Sequence, residues 1–335
     1  MTGTVLCGSS NAFAVECADG RVLRCTIKGK RLKEERHYYN PLAPGDEVKL
    51  EADDACGAGR ITALGARRNV FVRWNLKGRA PQALAANLDY ALIVTAPDEP
   101  PFRPRFVDRA LIQAAHDGIS PAVVVNKCDL PVSAECAVYL RIWESLGIRV
   151  VRLSARTDEG LDALSALMTG KRSALVGQSG VGKSSIVNAL DSVCAQRVGA
   201  LSAKYRRGAH TTAQGVLLHL KLGDGSASAV DTPGVRRFLL HGVEAGEAAL
   251  YFPEIKPRVG KCAFGMSCSH VREAGCAVRA AVRTGAVSAE RYDSWLRLYR
   301  GLSGVSRAER ETRAPRETLG GHQGRRLVGT KGDAW

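Results

Sequence analysis

The run Gly177-Gln178-Ser179-Gly180-Val181-Gly182-Lys183-Ser184 satisfies G-x-x-x-x-G-K-[ST] at every fixed position. It follows an apolar strand pattern, SALV, and opens a helical one, the context this motif requires. Glycines let backbone N–H groups wrap a phosphate chain, and the helix N-terminus adds partial positive charge. Lys183 is expected to reach the β- and γ-phosphates, and the Ser184 hydroxyl to ligate Mg²⁺, with Ser185 beside it in the same turn. Asp231-Thr232-Pro233-Gly234 follows a second strand pattern, ASAV. A carboxylate at that strand end, Asp231, can hold the same Mg²⁺, and the Gly234 N–H can face the γ-phosphate.

Asn126-Lys127-Cys128-Asp129 follows AVVV, and Ser154-Ala155 follows VVRL. Asp129 would accept two hydrogen bonds from guanine, at N1–H and the N2 amine. Adenine carries an acceptor at N1 and lacks that amine, so a buried carboxylate would go unpaired against it. Ser154-Ala155 can close the base pocket with a backbone N–H. In ordinary GTPases the phosphate loop comes first and the base-reading segments last; here 126 and 154 precede 177 and 231. A circularly permuted chain can build the same sheet, because domain termini lie close together on the surface. The segment after Asp231 then ends the domain and runs straight into a cysteine-bearing region. Nucleotide state can move that region as a rigid attachment.

That region holds Cys262-x5-Cys268-x-His270-x5-Cys276, three thiolates and an imidazole. Such a set is a closed tetrahedral zinc site, structural because four protein ligands leave no open position. The other cysteines (Cys7, Cys17, Cys25, Cys56, Cys128, Cys136 and Cys194) read as small apolar residues.

Around these groups the chain divides unevenly. Up to about residue 66, short β patterns alternate with turn signals, and Leu23, Cys25 and Ile27 face opposite to Arg24 and Thr26. Val48 and Leu50 alternate in the same way with Lys49 and Glu51. A small barrel follows, of the oligonucleotide-binding (OB) or SH3-like kind. From Arg67 to Ala86 the pattern breaks into a basic connector that mixes Arg73, Lys77 and Arg79 with Phe71 and Trp74. Cations interleaved with aromatics suit RNA backbone and base stacking. Residues 88–240 alternate aliphatic strands with helices expected at 105–117, 133–146, 160–168 and 183–191, a mainly parallel sheet covered on both faces.

The 335 residues are 45% hydrophobic and 24% charged, which excludes wholesale disorder. No stretch of about 18 apolar residues exists for a membrane span, and no basic-then-apolar leader opens the chain. A cytoplasmic protein is expected. With 48 basic against 33 acidic side chains, the net charge of +15 favours a polyanionic partner.

The permuted motif order, the β-rich N-terminal region and the cysteine–histidine cluster together resemble the ribosome small-subunit-dependent GTPase A family, over about residues 5–300. The resemblance implies a multidomain fold: an OB-like RNA-binding β-barrel (1–70), a circularly permuted α/β P-loop GTPase domain (88–240) and a small α-helical zinc-binding domain (241–302); composition adds a basic linker (71–87) and, in the Arg-, Gly- and Glu-rich residues without apolar period, a basic flexible tail (303–335). It implies GTP hydrolysis stimulated by the 30S ribosomal subunit, a role in late 30S maturation, contact with 16S rRNA, and a monomer. Residues 206–212, RRGAHTT, resemble the family's switch I. There Thr212, or else Thr211, would bind Mg²⁺ with Ser184 and Asp231, and Lys204, Arg206 and Arg207 could meet rRNA. Val235 stands where many GTPases carry a water-orienting glutamine, so His210 is the candidate to position the water, with Lys183 stabilising charge. Between Cys262 and Cys268 there are five residues, where the family usually has four. A non-enzymatic RNA-binding module that uses GTP only as a conformational ligand is the alternative; a small-substrate phosphotransferase is disfavoured by NKCD.

Overall fold

The computed structural model describes residues 1–9, 11–27, 38–53, 57–193 and 215–313. Five strands come first: β1 (Thr2–Ser9), β2 (Ala12–Cys17), β3 (Val22–Ile27), β4 (Glu47–Asp53) and β5 (Ala58–Leu64). They close into a barrel in the order β1-β2-β3-β5-β4, with β3 and β5 parallel and β1 returning to β4. This is an OB-like barrel, and the SH3-like alternative drops out. In β3 the exposed/buried alternation is complete, and Phe13, Val15, Leu23, Cys25, Ile27, Val48, Leu50 and Ile61 fill the interior. Register shifts at Val5/Cys7 and Lys49/Leu50 bend these strands, as bulges do where a sheet must curl.

The expected irregular connector is instead a hairpin. Val70–Asn75 (β6) pairs antiparallel with Ala80–Ala86 (β7). A register shift between Phe71 and Val72 breaks the two-residue period, and β7 is alanine-rich with Pro81 inside it, so neither strand advertises itself. Asn75 Oδ1 accepts the N–H groups of Lys77 and Gly78 and shapes the turn. The hairpin packs into the neighbouring core: Phe71 stacks on Phe238 with ring centroids 5.6 Å apart, and Val72 N donates to Asp117 Oδ2.

The central sheet runs β10-β9-β8-β11-β13-β12. Its strands are β8 (Tyr90–Thr95), β9 (Ser120–Val125), β10 (Arg149–Arg152), β11 (Arg172–Gly177), β12 (Val216–Leu222) and β13 (Gly225–Asp231). All neighbours are parallel except the edge pair β12/β13. Segments such as ALIV and AVVV are buried on both faces, as a sheet covered by helices demands. The helices are α1 (Pro104–His116), α2 (Ala134–Ser145), α3 (Leu161–Met168) and α4 (Lys183–Leu190), each within a residue or so of its expected span. Among the described residues, the motif segments at 126, 154, 177 and 231 therefore all leave the carboxyl end of a parallel strand, along one rim.

The C-terminal body has its own apolar cluster around Phe252, Val278 and Trp295, which also receives Ile112 of α1. It contains α5 (Ala277–Arg283) and α6 (Ala289–Arg313). Residues 303–313, expected as flexible tail, continue α6; their Ala, Glu and Arg content favours helix although no apolar period marks it. Arg291 of α6 ties this body to α1. Its Nη1 reaches Asp108 Oδ1, its Nε donates to Glu254 Oε1 at 2.6 Å, and Ser294 Oγ donates to Asp108 Oδ2 at 2.6 Å. Among the described residues no helix is long and apolar enough to cross a membrane.

Candidate nucleotide site and metal centre

The phosphate loop joins β11 to α4. Gly182 has φ +89°, and a Cβ there would stand 2.3 Å from Asn126 Nδ2, so only glycine permits this approach. Asn126 uses the approach: its Nδ2 donates to Val181 O at 2.9 Å, while its Oδ1 accepts from Ala155 N at 3.0 Å. One buried side chain thus holds the phosphate loop and the Ser154-Ala155 turn together, although they lie 55 and 29 residues from it in sequence. Lys183 is buried and its ammonium donates to the carbonyls of Gly177 and Gln178 at 3.2 and 3.0 Å. Burial pushes its pKa down, with Asp231 pulling the other way.

Ser184 Oγ donates to Asp231 Oδ2 at 2.7 Å. The two oxygens expected to share a Mg²⁺ are therefore neighbours, and a hydroxyl beside a carboxylate is the hard oxygen set that ion takes. Gly234 lies against the loop from the other side; a Cβ there would come within 2.6 Å of Ser179 Cα and 2.8 Å of Ser179 N. The four motif segments thus meet. Gly180 and Ser185 lie in the same loop and first turn. Thr211, Thr212 and His210 fall outside the described residues, as do Lys204, Arg206 and Arg207.

At the base end, Ser154 Oγ donates to Asp129 Oδ1 at 2.5 Å. Arg156 Nε and Nη2 both donate to Asp129 Oδ2, at 2.9 and 2.7 Å. These bonds, Ser154 first, hold the Asp129 pKa below its usual value, so the group is an acceptor at neutral pH. Lys127, at φ +64°, turns its ammonium to the carbonyl of Glu99. The motifs picked out Asp129 and Ser154 but not Arg156; the only hint was a cation directly after Ser154-Ala155.

In the C-terminal body Cys262, Cys268, His270 and Cys276 are all buried, with one ligand atom of each within 4.8 Å of all the others. Cys262 belongs to the set despite its longer spacing. Its Sγ lies 3.9 Å from Cys276 Sγ and 3.4 Å from His270 Nδ1. A tetrahedron with metal–sulfur bonds of about 2.3 Å has edges of about 3.8 Å, so the set fits one such ion. Burial lowers the His270 pKa, against the pull of Glu273, and keeps the imidazole in its ligating neutral form. Glu273, which the spacing did not single out, folds the loop: its carboxylate accepts from Ser269 N, Val271 N and Arg272 N at 2.9–3.0 Å and from Ser269 Oγ.

A phosphate loop, a Ser184–Asp231 pair and the Asp129 carboxylate, on segments ordered 126, 154, 177, 231 along one mainly parallel sheet, define a circularly permuted P-loop GTPase. The RsgA GTPase family profile matches residues 64–241. The small ribosomal subunit biogenesis GTPase RsgA of Borrelia recurrentis is 36% identical over 92% of this chain and 97% of its own length. The protein of that name from Gemmatimonas aurantiaca is 39% identical over 91% and 98%. The crystal structure of YjeQ from Thermotoga maritima superposes with a TM-score of 0.66 at 28% identity, covering 90% of this chain and 98% of that one. YloQ, titled a circularly permuted GTPase, shares the fold with a TM-score of 0.62 at 22% identity, over 90% and 95%. The chain belongs to the RsgA GTPase family, and it is a GTP-hydrolysing enzyme.

Proposed function

We propose that this enzyme hydrolyses GTP as a factor in late maturation of the 30S ribosomal subunit, binding the particle through its 16S rRNA, with hydrolysis stimulated on that particle. The observation that carries the reading is the seating of Asp231 and Gly234 on the phosphate loop, because the same segment continues directly into the cysteine-bearing body. Family membership and the net charge of +15 point to the same partner.

In the reaction, Asn126 keeps loop and base pocket in register, while Asp129 and Ser154 orient guanine and Ala155 closes the pocket. Backbone N–H groups of residues 177–184 and the Lys183 ammonium take the charge that spreads over the phosphoryl oxygens. Ser184 and Asp231, with Thr212 or Thr211, would hold Mg²⁺, which would supply neutralisation of the phosphate charge. Gly234 offers its N–H to the γ-phosphate, and His210 positions the attacking water, since Val235 cannot. Cys262, Cys268, His270 and Cys276 would hold one structural zinc. The enzyme acts as a cytoplasmic monomer.

The test is steady-state GTP turnover with and without purified 30S subunits. Turnover is expected to rise many-fold on adding subunits, and to fall back as salt weakens the association. Turnover that ignores the subunits at every salt concentration would overturn the proposal.

A further inference from the structure

The Asp129 carboxylate is engaged on both oxygens: Oδ1 accepts from Ser154 Oγ, and Oδ2 takes Nε and Nη2 of Arg156. Nor is Arg156 there by a chance side-chain excursion. The Ser154 hydroxyl also accepts the N–H groups of Arg156 and Thr157, at 3.3 and 3.2 Å, so the turn that orients Asp129 delivers Arg156 to it. The Asp129 side chain is 10% exposed, whereas that of Arg156 is 74% exposed.

Guanine presents N1–H and the N2 amine side by side, in one plane. A guanidinium presents the same kind of paired donors, and both match a carboxylate. With Ser154 on Oδ1, at least one of the guanine donors must fall on Oδ2, where Arg156 sits. We infer that Arg156 is a gate on the base pocket: an intramolecular competitor that must leave Asp129 before guanine is read, and that recaptures Asp129 as the base departs. The inference rests on the guanine reading of Asp129 and deepens it. The gate lowers guanine-nucleotide affinity and assists release of GDP. Because the guanidinium is largely in water, its pairing is weak and screened, and the competition amounts to about two- to fivefold in affinity.

The experiment measures GDP affinity of the full chain with Mg²⁺, for the wild type, Arg156→Gln and Asp129→Asn, at low and high salt. Arg156→Gln is expected to bind GDP about two- to fivefold more tightly than wild type at low salt. That ratio should shrink toward one as added salt screens the Arg156–Asp129 pair in the wild type. Equal affinity at low salt overturns the gate, and so does weaker binding by Arg156→Gln, which would mean that the guanidinium holds the base. If Asp129→Asn loses GDP while Arg156→Gln equals wild type, the gate alone fails. If Asp129→Asn binds GDP like wild type, the guanine reading fails and the gate with it.

Discussion

A methyl group on Gly234 would press on the backbone of Ser179, 2.6 Å from its Cα. Neither partner is the movable end of a side chain, so the segment after Asp231 has to withdraw from the phosphate loop. Gly234→Ala is therefore expected to lower GTP turnover by about 10², the typical cost of losing one N–H aimed at developing charge. GDP affinity, which needs no γ-phosphate contact, should stay near wild type; single-turnover hydrolysis beside GDP titration separates the two. Residues such as Lys183, Ser184, Asp231, Asn126 and Asp129 were legible because their chemistry needs fixed types at fixed spacing after a strand. Arg156 and Glu273 were not. Their roles arise from turns, one folded by the Ser154 hydroxyl and one by four donors converging on a carboxylate, and a turn's hydrogen bonds leave no period to read.

Among the elements, the cysteine loop shows most directly how a side chain outside the Cys262–Cys268–His270–Cys276 set shapes a candidate metal centre. Ser269 foremost, with the backbone N–H groups, pulls the Glu273 pKa from 4.5 to about 2. Its folded pKa is depressed, so its contribution is complete above pH 4.5 and lost only as pH falls through about 2. Glu273→Gln turns an amide N–H₂ toward backbone donors and should weaken zinc binding by about 10- to 100-fold at neutral pH, as loss of an outer-shell partner does. Competition against a chromophoric chelator reads this out, and unchanged affinity would remove Glu273 from the centre. The strands and helices of the central sheet were legible from apolar runs and their length. The hairpin at 70–86 was not, because its register shift at Phe71/Val72 hides the alternation. The extension of α6 was hidden for a different reason: helix propensity there comes without an apolar stripe.

Over the whole molecule, three bodies share contacts that cross domain limits. The barrel meets the sheet through His219 Nε2 and Glu16 Oε2 at 2.7 Å, and through Arg172 Nη1, which donates to Gly45 O at 3.1 Å. The hairpin meets the segment after Asp231, with Trp74 N donating to Leu239 O at 2.9 Å. The C-terminal body meets α1 through the buried Arg291, whose charge Asp108 and Glu254 favour against the cost of burial. A change at Asp231 thus has short paths to both the hairpin and the cysteine-bearing body, which is what a nucleotide-dependent assembly factor needs. Segments from 126, 154, 177 and 231 should make one pocket for one guanine nucleotide. Titration calorimetry of GDP and xanthosine diphosphate, with Mg²⁺, into the wild type and Asp129→Asn tests that most directly. The wild type should bind one GDP, and Asp129→Asn should lose about 10- to 100-fold in GDP affinity while gaining xanthosine diphosphate. A wild type that binds no GDP, or an Asp129→Asn variant that keeps its preference for guanine, would contradict the account.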